Sequence, residues 1–351
     1  MSPSLLFRVD AGRTIGAGHV MRCLALAQAC RGRDGRARFL VRCDAPAIAE
    51  RLRREEFEVE DAPAASGSSG DLAATIAAAR RAEASWVVLD GARCGPEFER
   101  SLLGVGLRLA VIDDTGGRAE FHADLVLNQN LHADERLYPR RAARTELLLG
   151  PRYVLLRREF LEARPGPRAI PAIARKILVT LGGSDAPNHT RTVLRALERV
   201  DEPGLSAVAV IGGGNPHAAE LEKEARGGRV ALRILRDVTQ MPELMADAEL
   251  AVSAGGTTVW ELAYMGVPTL VGITSPLEEQ LVEGLRAGGV FPDLGWLDRA
   301  GEEDLARSIG KLIRDPEARA GMSARGRSLI DGGGCARVLD CMERIEGGRH
   351  G

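Results

Sequence analysis

The stretch ELAVSAGGTTVWELAYMGVPTLVGIT, Glu249 to Thr274, holds a whole supersecondary unit. A short apolar run ending at Ala254 suits a strand buried on both faces. Gly255, Gly256, Thr257 and Thr258 follow, then an apolar helical stretch through Met265, then Gly266-Val267-Pro268 and a second apolar run. Strand, glycine turn, helix, break and strand together make a β-α-β unit, which requires a parallel sheet.

Working outward, the same alternation recurs. Upstream lie KILVTLGG from Lys176, SAVAVIGGGN from Ser206 and ALRILRD from Ala231. The proline-rich segment Ala163 to Ala174 then interrupts the pattern and reads as a linker. Before it, LLFRVD, RARFLVR, SWVVLD, LRLAVIDD and ADLVLNQN are again short apolar runs separated by Ala/Leu/Arg stretches with helical spacing. The expectation is α/β: two Rossmann-like, doubly wound domains, 1–165 and 166–351, facing a central cleft. A last helix after the glycines near Cys335 is expected to pack back toward the first domain.

Length supports that division, since 351 residues exceed one ordinary domain. A chain that is 45% hydrophobic and 27% charged is globular rather than disordered or fibrous. A formal net charge of -2 gives no whole-chain attraction to nucleic acid or anionic membrane, so no nucleic-acid partner is expected. No run reaches the roughly 18 apolar residues of a membrane span, and the expected location is cytoplasmic. The six cysteines are scattered with no CxxC pair, and no cluster has metal-ligand spacing, so they read as reduced thiols and no metal is expected.

Ligands in open α/β sheets bind beyond the carboxyl ends of the strands, so the strand-to-helix junctions carry the chemistry. In RVDAGRTIGAGHVMRCLALAQA, Arg8 to Ala29, a strand ends near Asp10, glycines 12, 16 and 18 form a loop, and His19 opens a helix. Glycines at a helix start let a backbone approach a ligand, and free N–H groups there favour an anion. Spacing alone leaves open a tight turn with a capping His. At the second junction, Ser253 to Thr258 offers hydroxyls and backbone N–H groups suited to a diphosphate. Glu261, one turn on, is placed to accept the hydroxyls of a ribose, the alternative being a solvated Glu on a surface helix. Neither loop is a G-x-G-x-x-G fingerprint and no GxxxxGK[ST] occurs, so NAD and ATP are poor expectations and no cofactor is assigned.

These motifs resemble a known family. SAGGTTVWELAYMGVP is similar to the nucleotide-holding motif of the GT-B superfamily. Together with RVDAGRTIGAGHVMRCLALA, the IDD at Ile112, DLVLNQN ending at Asn130, LLLGPRYVLLRREF from Leu147 and DGGGCARV from Asp331, it resembles the PseG family. These are UDP-sugar hydrolases of pseudaminic acid biosynthesis, with relatives in spore-coat polysaccharide synthesis. The resemblance implies release of UDP from UDP-2,4-diacetamido-2,4,6-trideoxy-β-L-altrose, with His19 as general base on a water attacking the anomeric carbon. It implies a sugar side at Asp10, Gly16, Gly18, Arg22, Asn128, Gln129 and Glu279. It implies a UDP side at Gly183, Ser253, Ala254, Gly255, Thr257, Thr258, Glu261 and Gln280. Two departures from the family pattern fall on the sugar side: Ala92 stands where the family has Tyr, and Glu279 precedes Gln280 where it has Asn.

Hydrolysis of a sugar–diphosphate bond needs an activated water and stabilisation of the leaving diphosphate. His19 suits the first, and the helix starts after Gly183 and Ala254 suit the second without a metal. The expected protein is a monomer whose partner is a small UDP-sugar. The rival reading is a GT-B glycosyltransferase with the same UDP site and an unidentified acceptor. A non-catalytic nucleotide-sugar sensor fits less well, because binding alone does not call for a titratable His in the cleft.

Overall fold

A computed structural model describes residues 3–12, 15–91, 93–118, 120–163, 166–213 and 215–348. Ala92 therefore lies outside the described residues. The first sheet has strands β1 (Ser4–Ala11), β2 (Arg36–Cys43), β3 (Glu58–Asp61), β4 (Trp86–Asp90), β5 (Arg108–Ile112), β6 (Leu125–Asn128) and β7 (Glu146–Leu149). Their order is β3-β2-β1-β4-β5-β6-β7, and every neighbouring pair is parallel. The second sheet has β8 (Lys176–Thr180), β9 (Ser206–Ile211), β10 (Ala231–Arg236), β11 (Leu250–Ala254), β12 (Thr269–Ile273) and β13 (Asp293–Trp296). Its order is β10-β9-β8-β11-β12-β13, again parallel throughout.

Each sheet is wound outward from its middle in both directions, the doubly wound arrangement expected from the alternating runs. The direction reverses between β1 and β4 in the first sheet and between β8 and β11 in the second, and a crevice opens at such a point. Three strands were not expected from the sequence: β3, β7 and β13. Each is a four-residue strand at a sheet edge.

In the first sheet alternate residues of β1 face opposite cores. Leu5, Phe7 and Val9 pack with Val20, Leu24 and Ala27 of the helix Gly18–Arg31, while Leu6 packs with Val87, Leu89, Phe98 and Leu102 on the other face. Phe7 stacks on Phe39 with ring centroids 4.8 Å apart. Each fully buried side chain of this size contributes roughly 1.5–3 kcal/mol, so both faces of the sheet are firmly covered and its strand ends are held in fixed register.

The chain divides into two compact units, Met1–Arg158 with Gly332–Gly351, and Glu159–Asp331. The first boundary thus falls earlier than the expected 165/166, and the terminal segment is counted with the first unit rather than with 166–351. Residues of the helix Gly334–Gly347, namely Cys335, Val338, Leu339 and Met342, complete the first unit's core. A Cβ on Gly334 would stand 2.1 Å from the carbonyl oxygen of Val154, so the DGGGCARV motif is explained by close seating of this helix on the chain. Within the second unit, the buried Arg319 donates to the carbonyls of Pro171 and Ala172 and so pins the segment expected as a linker. Among the described residues no helix is long and apolar enough to cross a membrane.

Candidate functional site

The crevice of the first sheet is built by three adjacent strand ends. β4 ends at Asp90, which pairs in register with Val9 of β1 and Ile112 of β5. The helix Gly18–Arg31 returns over this point, and His19, Arg22 and Cys23 share one of its faces. All three reach Asp90. His19 Nδ1 lies 2.8 Å from Asp90 Oδ1, Arg22 Nε and Nη2 donate to the same carboxylate at 2.7 and 2.6 Å, and Cys23 Sγ stands 3.5 Å from it. Arg22 also donates from Nη1 and Nη2 to Asp114, two residues past β5, at 2.7 and 2.9 Å.

His19 Nδ1 has Arg22 Nη2 at 3.0 Å as well as the Asp90 oxygen at 2.8 Å. Arg22 Nη2 already has two carboxylate acceptors, so the charges assign the Nδ1 proton to a bond donated to Asp90. Nε2 then carries the free lone pair. The His19 side chain is 24% exposed while that of Asp90 is fully buried, so the ring is held from behind and open in front. Gly91, with φ of +63°, makes this possible: a Cβ there would come within 2.9 Å of the imidazole.

Electrostatics follow from the same contacts. Burial alone would raise the Asp90 carboxyl, but Arg22 and His19 hold it below the usual carboxylate range. The same balance, dominated by Arg22, holds Asp114 at about 2. Burial would lower the Arg22 guanidinium, yet the two carboxylates keep it well above its ordinary value. Both acids are therefore ionised at neutral pH.

Several residues expected on the sugar side are engaged with protein groups instead. Asp10 is buried and accepts from Arg8 Nη1 at 2.5 Å, while Arg8 Nε and Nη2 hold Asp71. Arg22 is buried, with its donors on Asp90 and Asp114. Asn128 donates to Tyr138 Oη and accepts from the Asn130 N–H, and Gln129 accepts from the Leu155 N–H. Tyr138 Oη in turn donates to Asp113, which also accepts from the Gly116 N–H. Gly16 and Gly12 exchange N–H···O bonds at 2.7 and 3.2 Å, which removes their amides from anion binding. Gly18 opens the His19 helix, whose N-cap, Ala17, makes no side-chain cap.

The crevice of the second sheet has a different make-up. Thr180 of β8 pairs with Ser253 of β11, and Ala254 with Gly272 of β12, so the loops after these strands lie side by side. Gly182 and Gly183 are exposed, and a Cβ on Gly182, Gly183 or Gly256 would meet nothing within 4 Å. The helix Thr258–Met265 starts here with Thr257 at its N-cap, no side-chain cap, and Glu261 in its first turn. The Ser253 hydroxyl is buried and donates to the Ala254 carbonyl. The helix start after Gly183, expected to be free for an anion, is closed: Asp185 accepts from the N–H groups of His189 and Thr190, both at 2.8 Å.

Glu279 and Gln280 are exposed, and the inward carboxylate is Glu278. It accepts from the Thr274 N–H at 2.7 Å and from the Thr274 hydroxyl at 2.9 and 3.0 Å. Burial raises its pKa, while these bonds and the backbone amides of Ser275 and Gly255 act in the other direction. A Cβ on Gly255 would stand 3.0 Å from Glu278 Cβ and 2.5 Å from Val282 Cγ2, so the glycine is required by this packing. Asp90, Asp114 and Glu278 were absent from the expected site. The first two carried a signal, a charged residue closing an apolar strand run in SWVVLD and LRLAVIDD.

Comparisons with known proteins agree with this architecture. Residues 176–325 match the family described as Glycosyltransferase family 28 C-terminal domain. The spore coat polysaccharide biosynthesis protein SpsG of Bacillus subtilis (strain 168) is 27% identical over 241 residues, covering 68% of this chain and 70% of that protein. The S. aureus MnaA–UDP co-structure superposes with a TM-score of 0.69 at 12% identity, covering 98% of this chain and 97% of that one. Acinetobacter baumannii MurG does so with a TM-score of 0.66 at 14% identity, covering 97% and 100%. The chain thus has the GT-B fold, a match to the glycosyltransferase family 28 C-terminal domain in its second unit, and sequence similarity to SpsG.

Proposed function

We propose that this GT-B chain is a nucleotide-sugar enzyme, specifically a hydrolase that releases UDP from a UDP-2,4-diacetamido-2,4,6-trideoxyhexose without a metal. The observation that carries this reading is the His19–Asp90 pair. An imidazole fixed at Nδ1 by a buried carboxylate, with Nε2 turned outward, is arranged to take a proton rather than to cap a helix. Water attacks the anomeric carbon, the bond from that carbon to the diphosphate oxygen breaks, and its electron pair leaves with UDP. The water proton passes to His19 Nε2, and Asp90 stabilises the imidazolium formed.

UDP is assigned to the second unit, at Gly183, Ala254, Gly255, Thr257, Thr258 and Glu261. Supporting this are the open glycine surfaces, the uncapped helix start at Thr257, and the UDP of the MnaA co-structure. The match to glycosyltransferase family 28 favours one alternative, in which an acceptor hydroxyl replaces the water.

Incubation with UDP-sugars and no acceptor separates the two. The hydrolase reading expects stoichiometric UDP and free sugar, whereas UDP release only on adding an acceptor establishes the transferase. The metal-free assignment expects unchanged turnover after EDTA treatment, and loss restored by magnesium contradicts it.

A further inference from the structure

His19, Arg22, Asp90 and Asp114 carry one guanidinium against two carboxylates. Arg22 satisfies Asp90 through Nε and Nη2 and offers its outer edge to Asp114, so the carboxylates outnumber the guanidinium by one. The surplus lies on the open side, because the Asp114 side chain is 33% exposed and that of Asp90 fully buried. A carboxylate needed only to balance Arg22 is already present in Asp90.

Asp114 is nevertheless held from several directions. Its backbone carbonyl accepts from His132 Nε2 at 2.9 Å and Asn130 Nδ2 at 3.3 Å, and its Oδ1 accepts from Asn130 Nδ2 at 3.1 Å. With Nε2 of His132 donating there, its buried Nδ1 has no partner among the described residues, a cost accepted in fixing this loop. Arg22 keeps the carboxyl ionised across the neutral range.

We propose that Asp114 faces the sugar ring and stabilises the positive charge that develops at the anomeric carbon as the bond to the diphosphate breaks. This rests on the hydrolase reading. Asp114 forms no bond and takes no proton: the electron pair leaves with UDP, the water proton goes to His19, and the surplus carboxylate offsets the charge between those events.

The test uses the full chain and Asp114→Asn. The expected result is turnover lowered about 10²–10³-fold, with KM and UDP affinity within about three-fold, the range for loss of one electrostatic stabiliser. A second arm measures binding of protonated deoxynojirimycin and its neutral counterpart 1,5-anhydroglucitol in the presence of UDP. The parent should prefer the cation by about ten-fold or more, and Asp114→Asn should abolish that preference. An Asp114 that is only structural lowers thermal stability but leaves turnover of the folded protein and the cation preference in place, and either overturns the proposal. A parent with no cation preference overturns it without any variant. A parent that prefers the cation but releases no UDP without an acceptor refutes the hydrolase reading and leaves Asp114 supported.

Discussion

The two crevices lie at the same topological position, between the first and fourth strands in sequence of each sheet, yet they are filled differently. The first holds a lattice of side-chain charge, buried except at Asp114, with Arg22 joined to Asp90 and Asp114 and Arg8 joined to Asp71 and Asp10. The second presents glycine surface and an uncapped helix start, with its carboxylates Asp185 and Glu278 turned onto backbone N–H groups. A lattice of fixed charges suits a developing charge and a moving proton, whereas bare backbone suits a diphosphate that arrives already charged. Equivalent positions in one repeated topology thus differ in what a substitution should do: in the first unit it should change rate, and in the second, affinity.

That contrast is broken most severely by Arg22→Ala, which leaves two carboxylates without their cation. Loss of about 3–5 kcal/mol is expected, as for other buried pairs broken on one side, read as a lowered denaturation midpoint. The sign with pH follows from Asp90, whose pKa is lowered in the folded state. In the parent its contribution is present above the unfolded carboxyl value near 3.9 and fades as pH falls through the lower folded value. Without Arg22 the buried acid is raised, so acid relieves the variant, and the gap to the parent should narrow as pH falls from the variant's raised value, above the ordinary carboxyl value near 3.9, down through the parent's lowered one. A gap independent of pH would show that Asp90 is not the group responsible.

A finer perturbation is Gly91→Ala. The substitution places a methyl 2.9 Å from the imidazole at a φ of +63° and should displace the ring. Turnover should fall by about 10²-fold, as for an ångström-scale misplacement of a reacting group, while UDP affinity stays near that of the parent. Parent-like turnover in the folded variant would mean that the position of His19 is unimportant.

In the second unit, Glu261→Ala should weaken UDP binding by about 1.5–3 kcal/mol by calorimetry if the carboxylate accepts ribose hydroxyls. Unchanged affinity assigns Glu261 a structural role. Smallest of all, Asp185→Ala should lower stability by about 0.5–2 kcal/mol through loss of a helix cap and leave UDP affinity alone. A marked gain or loss of UDP binding would return the helix start after Gly183 to the nucleotide site.

The sequence made the double winding plain because central strands of a parallel sheet are buried on both faces and read as unbroken apolar runs, as in LLFRVD and ELAVSA. It concealed β3 and β13 because edge strands are shielded less: three of the four residues of EVED are charged and its two ends are exposed, while DLGW carries a glycine and is only partly buried. Glycine loops identified where to look, and His19 stood out as a titratable group among them. Which acids serve it was not legible from spacing, since Asp10 and Asp90 both lie at strand ends beside the crevice; Asp90 follows Trp86 and Val88 on the face covered by the His19 helix, whereas Asp10 follows Leu6 and Arg8 onto the other face and holds Arg8. That Glu278 rather than Glu279 turns inward has its cause in a turn whose phase is set by the bonds of Glu278 to Thr274.

The central claim, that proton transfer belongs to the first crevice and nucleotide recognition to the second, is tested most directly by His19→Asn with turnover and UDP affinity measured on one folded preparation. Loss of the base should cut acceptor-free UDP release by about 10²–10⁴-fold while the UDP dissociation constant stays within a few-fold of the parent. Release at close to the parent rate would remove His19 from the chemistry, and a collapse of UDP affinity together with turnover would contradict the division of labour.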